Sequence, residues 1–150
     1  MAELFSFAAD RAQHVEHLIK PAIAEGKIVI SDRYADATYA YQGAGRGFDE
    51  EKVLKVIELA TGGLKPDLTL FFDIRPEQAI YRMSGRADTH TKRNRMDDET
   101  VEFYTRVRDS YLGIARREPA RFKVVDATRP IEAIHADVVR HVTEVLQEGV

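Results

Sequence analysis

The chain has no cysteine and no tryptophan. Without cysteine there is no disulfide and no thiolate metal site. The five histidines, His14, His17, His90, His135 and His141, form no metal-spaced cluster with carboxylates. Any catalysis must therefore come from carboxylates, cations or a bound ion. Long apolar runs are also missing: nothing approaches the roughly 20 residues that span a bilayer. The opening MAELFSFAADR has neither the basic nor the apolar zone of a signal peptide. A cytoplasmic protein with no membrane partner is expected. Nor does one charge dominate, since a formal net charge of −3 gives no general attraction to nucleic acid. The local exception is residues 82–95, where Arg82, Arg86, Lys92, Arg93 and Arg95 against Asp88 alone give +4, a patch suited to an anionic ligand.

What is present is ordinary globular composition. At 150 residues, 44% hydrophobic and 31% charged, the chain can bury one core, and a single domain over 1–150 is expected. Helical and extended patterns alternate along it. Phe5, Ala8, Ala12, Val15, Ile19 and Ala22 recur at three- and four-residue spacing, so residues 3–24 read as helix, bent or interrupted near Pro21 and stopped by Gly26. A strand is expected over Lys27–Ser31. Asp49 should cap a helix with Val53, Ile57 and Ala60 on its apolar face, closed by Gly62 and Gly63. LTLFFDI at 68–74 and FKVVDA at 122–127 read as strands. Helices follow Pro76, the basic stretch and Pro130.

Strands that are apolar throughout and separated by helices predict a parallel sheet with helices on both faces. Three of them end in aspartate: Asp32, Asp73 and Asp126. Ligands in open α/β sheets sit beyond the carboxyl ends of the strands, so these acids are expected along one edge, although each also fits a simple strand-end turn. Residues 28–47, IVISDRYADATYAYQGAGRG, stand out further. A strand delivering an acid and an arginine, followed by a small polar loop, suits a phosphorylated ligand.

Together these segments resemble a known family. FAADRAQHVEHLIKPAIAEGKIVISDRYADATYAYQGAGRG is similar to the central segment of bacterial thymidylate kinases. KPDLTLFFDIRPEQA resembles the strand and turn that come next in that family, NRMDDETVEFYTRVRDSYL the helix after the lid, and VVDATRPIEAIHADV the last strand and helix. The resemblance implies a P-loop NTPase-type α/β fold of nucleoside monophosphate kinase architecture, amino-terminally truncated. It also implies transfer of the ATP γ-phosphoryl group to dTMP with Mg²⁺, and a homodimer meeting through the helices at 3–24 and 49–61.

The resemblance also implies roles for individual residues. Phe7 matches the ring that stacks on thymine, although its spacing alone fits core packing. Arg11 matches the arginine reaching the base and phosphate region, where a guanidinium offers a fixed fork of donors. Arg33 matches the grip on the acceptor phosphate. Asp32 beside it matches the acid near hydrated magnesium, contacting the ion through water. Thr38 and Gln42 match groups on the pyrimidine edge, a ring with one N–H and two carbonyls. Tyr41 matches a tyrosine beside the deoxyribose. Turn capping and packing remain open for Thr38 and Tyr41. The stretch 82–96 corresponds to the lid over the nucleotide donor. In it Arg86 matches the arginine beside the transferred phosphoryl group, where a cation offsets transition-state charge. Arg95 matches the arginine closing the lid, but Asn94 stands where the family has aspartate. Lys92 and Arg93 fit a solvated charged face.

One element is missing from the 150 residues. Phosphoryl transfer from ATP in this class uses a G-x-x-x-x-G-K-[ST] loop, and none occurs: Gly26-Lys27 is followed by Ile28, and Gly62-Gly63 by Leu64. The expectation is that on the order of 50 residues of the family pattern are absent, since a βαβ unit alone takes about 30. The chain by itself should then have no kinase activity. The alternatives are a non-catalytic nucleotide-binding or assembly-partner paralogue, and a deoxynucleoside kinase whose acceptor carries no phosphate.

Overall fold

A computed structural model of the chain describes residues 1–84 and 99–148. The backbone forms two compact units, Met1–Lys65 and Pro66–Val150. No helix among the described residues is long and apolar enough to cross a membrane.

The first unit is helical. Helix α1 (Ala2–His14) runs without a break into a π-helical stretch, Val15–Ile19, and then into α2 (Lys20–Ala24). The wide turn sits immediately before Pro21, which has no N–H to give back to the preceding turn. Lys20 N–H reaches Val15 O, five residues back. Gly26 ends the helix at φ +71. Its N–H donates to Ile23 O and the Lys27 N–H to Ala22 O, the paired bonds of a Schellman stop. Helix α3 (Ala35–Thr38) leads directly into a second π-helical stretch, Tyr39–Gly45. Helix α4 (Glu50–Thr61) is capped by Asp49, whose carboxylate accepts from the Lys52 N–H at 3.0 Å, and it ends at Gly62 with φ 59. Leu4, Val15, Ile19, Ala40, Val53 and Ala60 make the buried apolar core of this unit.

Two expectations fail here. Lys27–Ser31 is not a strand but an irregular segment, with Ile30 92% exposed. An apolar β-branched run becomes a strand only where a neighbour completes its ladder, and none of the described residues pairs with it. At the start of α1, Leu4 rather than Phe5 lies inside, while Val15 and Ile19 are buried as expected.

The second unit is α/β. Strands β1 (Thr69–Asp73) and β2 (Phe122–Asp126) pair in parallel, with Thr69 opposite Phe122 and Asp73 opposite Asp126. The connection carries α5 (Pro76–Ser84) and α6 (Val101–Arg117), and α7 (Ile131–Glu148) comes after β2. Thr100 caps α6 by accepting from the Phe103 N–H. Tyr111 of α6 stacks on Phe71 of β1 at 4.6 Å, while Phe103, Val107, Ile114, Phe122 and Val125 are buried. A small parallel sheet in a helix-rich chain is the α/β arrangement that the alternating pattern predicts.

Candidate functional site

In the first unit, two helical rows with four-residue spacing run past each other in opposite directions. One row is Glu3, Phe7 and Arg11, on one face of α1 because a helix returns to the same side every three to four residues. The other is Tyr34, Thr38 and Gln42, on α3 and its flanks. They meet in three rungs. The Arg11 guanidinium lies 4.8 Å over the Tyr34 ring. Phe7 and Thr38 line one hollow with Arg11, Ala8, Ala60 and Thr61. Gln42 Nε2 donates to Glu3 Oε1 at 2.9 Å.

This hollow has an apolar wall and polar ends. The Phe7 ring is 47% exposed, whereas Thr38 beside it is buried. Burial lowers the pKa of Arg11, opposed by Tyr34 and Asp10, and it raises that of Tyr34 against the pull of Arg11. Both shifts have the same origin, the cost of holding charge away from water. The Tyr34 hydroxyl donates to Leu64 O at 3.1 Å, which holds the ring where the guanidinium can stack.

Arg33 joins the cluster through its backbone. Its carbonyl oxygen accepts from Arg11 Nη1 at 2.8 Å and from Ser31 Oγ at 2.8 Å. Its guanidinium lies 4.9 Å over the Tyr41 ring. Five of the predicted substrate residues, Phe7, Arg11, Arg33, Thr38 and Tyr41, thus fall into two linked groups, and Gln42 closes the far end beside Glu3. The expected strand that would present Asp32 and Arg33 is absent. Both residues sit on the exposed irregular segment, and the Asp32 carboxylate makes no hydrogen bond or ion pair with the described residues.

Among the described residues no group of three or more histidine or acidic side chains could hold a metal ion by itself. A lone exposed carboxylate fits only an ion that brings its own ligands, as Mg²⁺ does when it is bound through one carboxylate, waters and phosphate oxygens. Arg86, Arg95, Lys92 and Arg93, with most of the predicted lid, lie outside the described residues.

In the second unit the two strand-end acids stand in register, and both are already engaged. Arg108 of α6 grips Asp73 with both arms, Nε to Oδ1 at 2.6 Å and Nη2 to Oδ2 at 2.8 Å. That contact holds the Arg108 pKa above its ordinary value. Asp126 Oδ1 accepts from the Thr128 N–H at 2.9 Å and from its hydroxyl at 2.6 Å, so the strand-end turn is its structural role. Arg82 Nη1 donates to Ala127 O at 3.1 Å, fixing the loop after β2. Sequence reasoning missed Glu3 and Tyr34, and it assigned Arg82 only to the basic patch. For Glu3 a signal existed, since it lies four residues before Phe7 on the same helix face.

Comparison with known proteins gives one family. The model of the thymidylate kinase family matches residues 1–138. The thymidylate kinase of Nitratidesulfovibrio vulgaris (strain DSM 19637 / Miyazaki F) is 49% identical over 148 residues, covering 97% of this chain and 69% of the relative. That of Desulfosudis oleivorans is 53% identical over 131 residues, covering 85% and 61%. That of Chlorobium chlorochromatii is 42% identical over 149 residues, covering 95% and 67%. The chain spans about two thirds of the length of these relatives.

Proposed function

Because this chain belongs to the thymidylate kinase family, we propose that it carries the acceptor-binding part of an enzyme that moves the γ-phosphoryl group of ATP to dTMP, giving dTDP and ADP. The observation that carries the reading is the hollow shared by Phe7, Arg11 and Thr38, with the Arg33 backbone bonded to Arg11 at its edge. A half-exposed ring offers a face for a pyrimidine. Arg11 and Arg33, linked by a bond from the Arg11 guanidinium to the Arg33 backbone carbonyl, each supply a cation suited to a nucleotide phosphate. Tyr41, fixed under the Arg33 guanidinium, stands where the deoxyribose would meet its bulk.

In this reading Arg33 clamps the acceptor phosphate and orients its oxygen for in-line attack. Arg86 supplies the cation beside the transferred group, and Arg95 closes the lid. Mg²⁺ arrives with ATP and neutralises its phosphates, and Asp32 holds a water of its shell. The 150 residues include no G-x-x-x-x-G-K-[ST] loop, so on their own they bind the acceptor and do not transfer phosphate. The protein works in the cytoplasm as a homodimer. Exposed Phe5, Leu18, Ile23, Leu54 and Leu59 on the helices of the first unit support the dimer, since apolar surface of this kind marks association sites.

Calorimetric titration of the purified chain tests the acceptor. The expected result is binding of dTMP at least about tenfold tighter than thymidine, the difference charge-assisted hydrogen bonds to a phosphate make. Equal affinities would point to an unphosphorylated acceptor. Steady ADP formation from dTMP and ATP by this chain would overturn the assignment of its inactivity.

A further inference from the structure

The second unit carries a hollow that the phosphoryl-transfer reading does not use. It has a volume of about 310 Å³ and is lined by the last turns of α6, the first residues of β2, and α7. That is the space of about ten waters, and it falls within the range of small-molecule sites. Leu112 and Ala115 of α6 with Phe122 and Val124 of β2 give it apolar walls, and Val124 is 43% exposed. His141 of α7 closes the remaining side, its Nδ1 bonded to Glu144 at 3.2 Å. The hollow adjoins the amino end of β2, whereas Asp126 marks the carboxyl end, where α/β sheets keep their substrates.

The rim is basic. Arg116 and Lys123 line the hollow, and no acid among the described residues does. Acids nearby in the chain are already engaged, Glu118 by Arg121 at 2.7 Å and Glu144 by His141. Arg116 makes no hydrogen bond or ion pair with the described residues. Its Nη2 passes 3.9 Å from where a Cβ on Gly113 would stand, so the guanidinium lies back along α6. Lys123 Nζ donates to Pro119 O at 2.7 Å, and an ammonium has further N–H donors to give.

We propose that this hollow is a binding site for a small organic carboxylate with a compact apolar body. The walls take the body out of water, and the planar fork of Arg116 matches the two oxygens of a carboxylate, with Lys123 as a second cation. Neither half suffices alone. An inorganic anion leaves the walls unused, and a neutral apolar molecule leaves the guanidinium without its partner. A ligand seated there bridges α6, β2 and α7 and touches no residue given a role in phosphoryl transfer.

Chemical-shift titration of the ¹³C-methyl-labelled chain tests the site, with 4-phenylbutyrate as the probe. The Leu112 and Val124 methyl signals, assigned by single substitution, are expected to move saturably with a Kd at or below about 1 mM, an affinity within reach of about a dozen heavy atoms. 4-Phenylbutan-1-ol, the same body without charge, should bind at least about tenfold more weakly, and inorganic phosphate at about 10 mM should leave both methyls unmoved. Arg116→Gln changes an exposed side chain and should weaken 4-phenylbutyrate by about tenfold. Absence of a saturable shift up to about 10 mM would overturn the site. Equal affinity for the alcohol, or unchanged affinity in Arg116→Gln, would reduce the hollow to an apolar surface and overturn the carboxylate assignment. Concentration-dependent shifts of the same methyls in the chain alone would show a second copy seated on the hollow and would equally overturn the proposal.

Discussion

Arg11 donates from its guanidinium to the carbonyl oxygen of Arg33, 2.8 Å away and 22 positions along the chain. Two like-charged residues are therefore brought together by a backbone acceptor, with each guanidinium also resting on a tyrosine ring, Arg11 on Tyr34 and Arg33 on Tyr41.

Arg11→Lys should disable this arrangement while keeping the charge. A lysine ammonium cannot stack flat on Tyr34 and reach the Arg33 carbonyl together, because it lacks the planar fork. Affinity for dTMP should fall about tenfold, measured by calorimetry. Unchanged affinity would remove Arg11 from the acceptor site.

Phe7 and Leu4 separate binding from packing on the same helix. Leu4 is fully buried, and Leu4→Ala should cost about 2–5 kcal/mol in denaturant unfolding. Phe7 is half exposed, so Phe7→Ala should cost less than about 1 kcal/mol of stability. Loss of a base stack should nevertheless weaken dTMP binding by about 1–3 kcal/mol. A Phe7→Ala chain as unstable as Leu4→Ala would assign Phe7 to the core.

Arg108→Met should destabilise the second unit by about 1–2 kcal/mol. It strands the Asp73 carboxylate, which is about four-fifths buried, and a partly buried charge deprived of its bidentate partner costs less than the 3–5 kcal/mol of a fully buried one. Urea unfolding followed by circular dichroism measures the change. A variant with the parent's midpoint and slope would show that solvent replaces the arginine.

Acid should weaken the second unit through four carboxylates. The Thr128 hydroxyl holds Asp126 low, hydrogen bonds from Arg140 and Arg129 hold Asp137 low, His141 does so for Glu144, and its own backbone N–H does so for Glu102. Each folded pKa lies below its unfolded value. The stabilisation is therefore complete above the ordinary carboxylate range near about 4 and is lost as pH falls through the lowered values. The melting temperature should hold from pH 7 to 5 and drop between about pH 4 and 2. A flat profile down to pH 2 would contradict these assignments.

Elements whose signals are local were legible in the sequence. Gly26, Gly62 and Asp49 act where their chemistry placed them, because a left-handed glycine or a side-chain cap needs only its own neighbours. Pro21 likewise announces the disturbance in its helix. Ile28 and Ile30 could not be read this way: their β-branched run describes a strand, but pairing depends on a partner that composition does not name. The inward face of α1 was misjudged only at Phe5: Leu4 lies about three α-helical turns before Val15 and so on the same side, whereas Phe5 is turned about 100° away from it. For the candidate site, Phe7, Arg11 and Thr38 line one hollow, a meeting that their spacing alone did not announce. The Glu3–Gln42 bond spans 39 positions and has no local trace.

The π-helical turn at Val15–Ile19 also separates two mechanical tasks. Such a turn holds one residue more than an α-helical turn would, so it works as a phase coupler between two ends of a rod. Upstream, Glu3, Phe7 and Arg11 must face Gln42, Thr38 and Tyr34. Downstream, the chain must reach Gly26 at an azimuth set by Pro21. Shortening the coupler by one residue would rotate one end against the other by about 100°, so the rungs and the glycine stop could no longer both be satisfied.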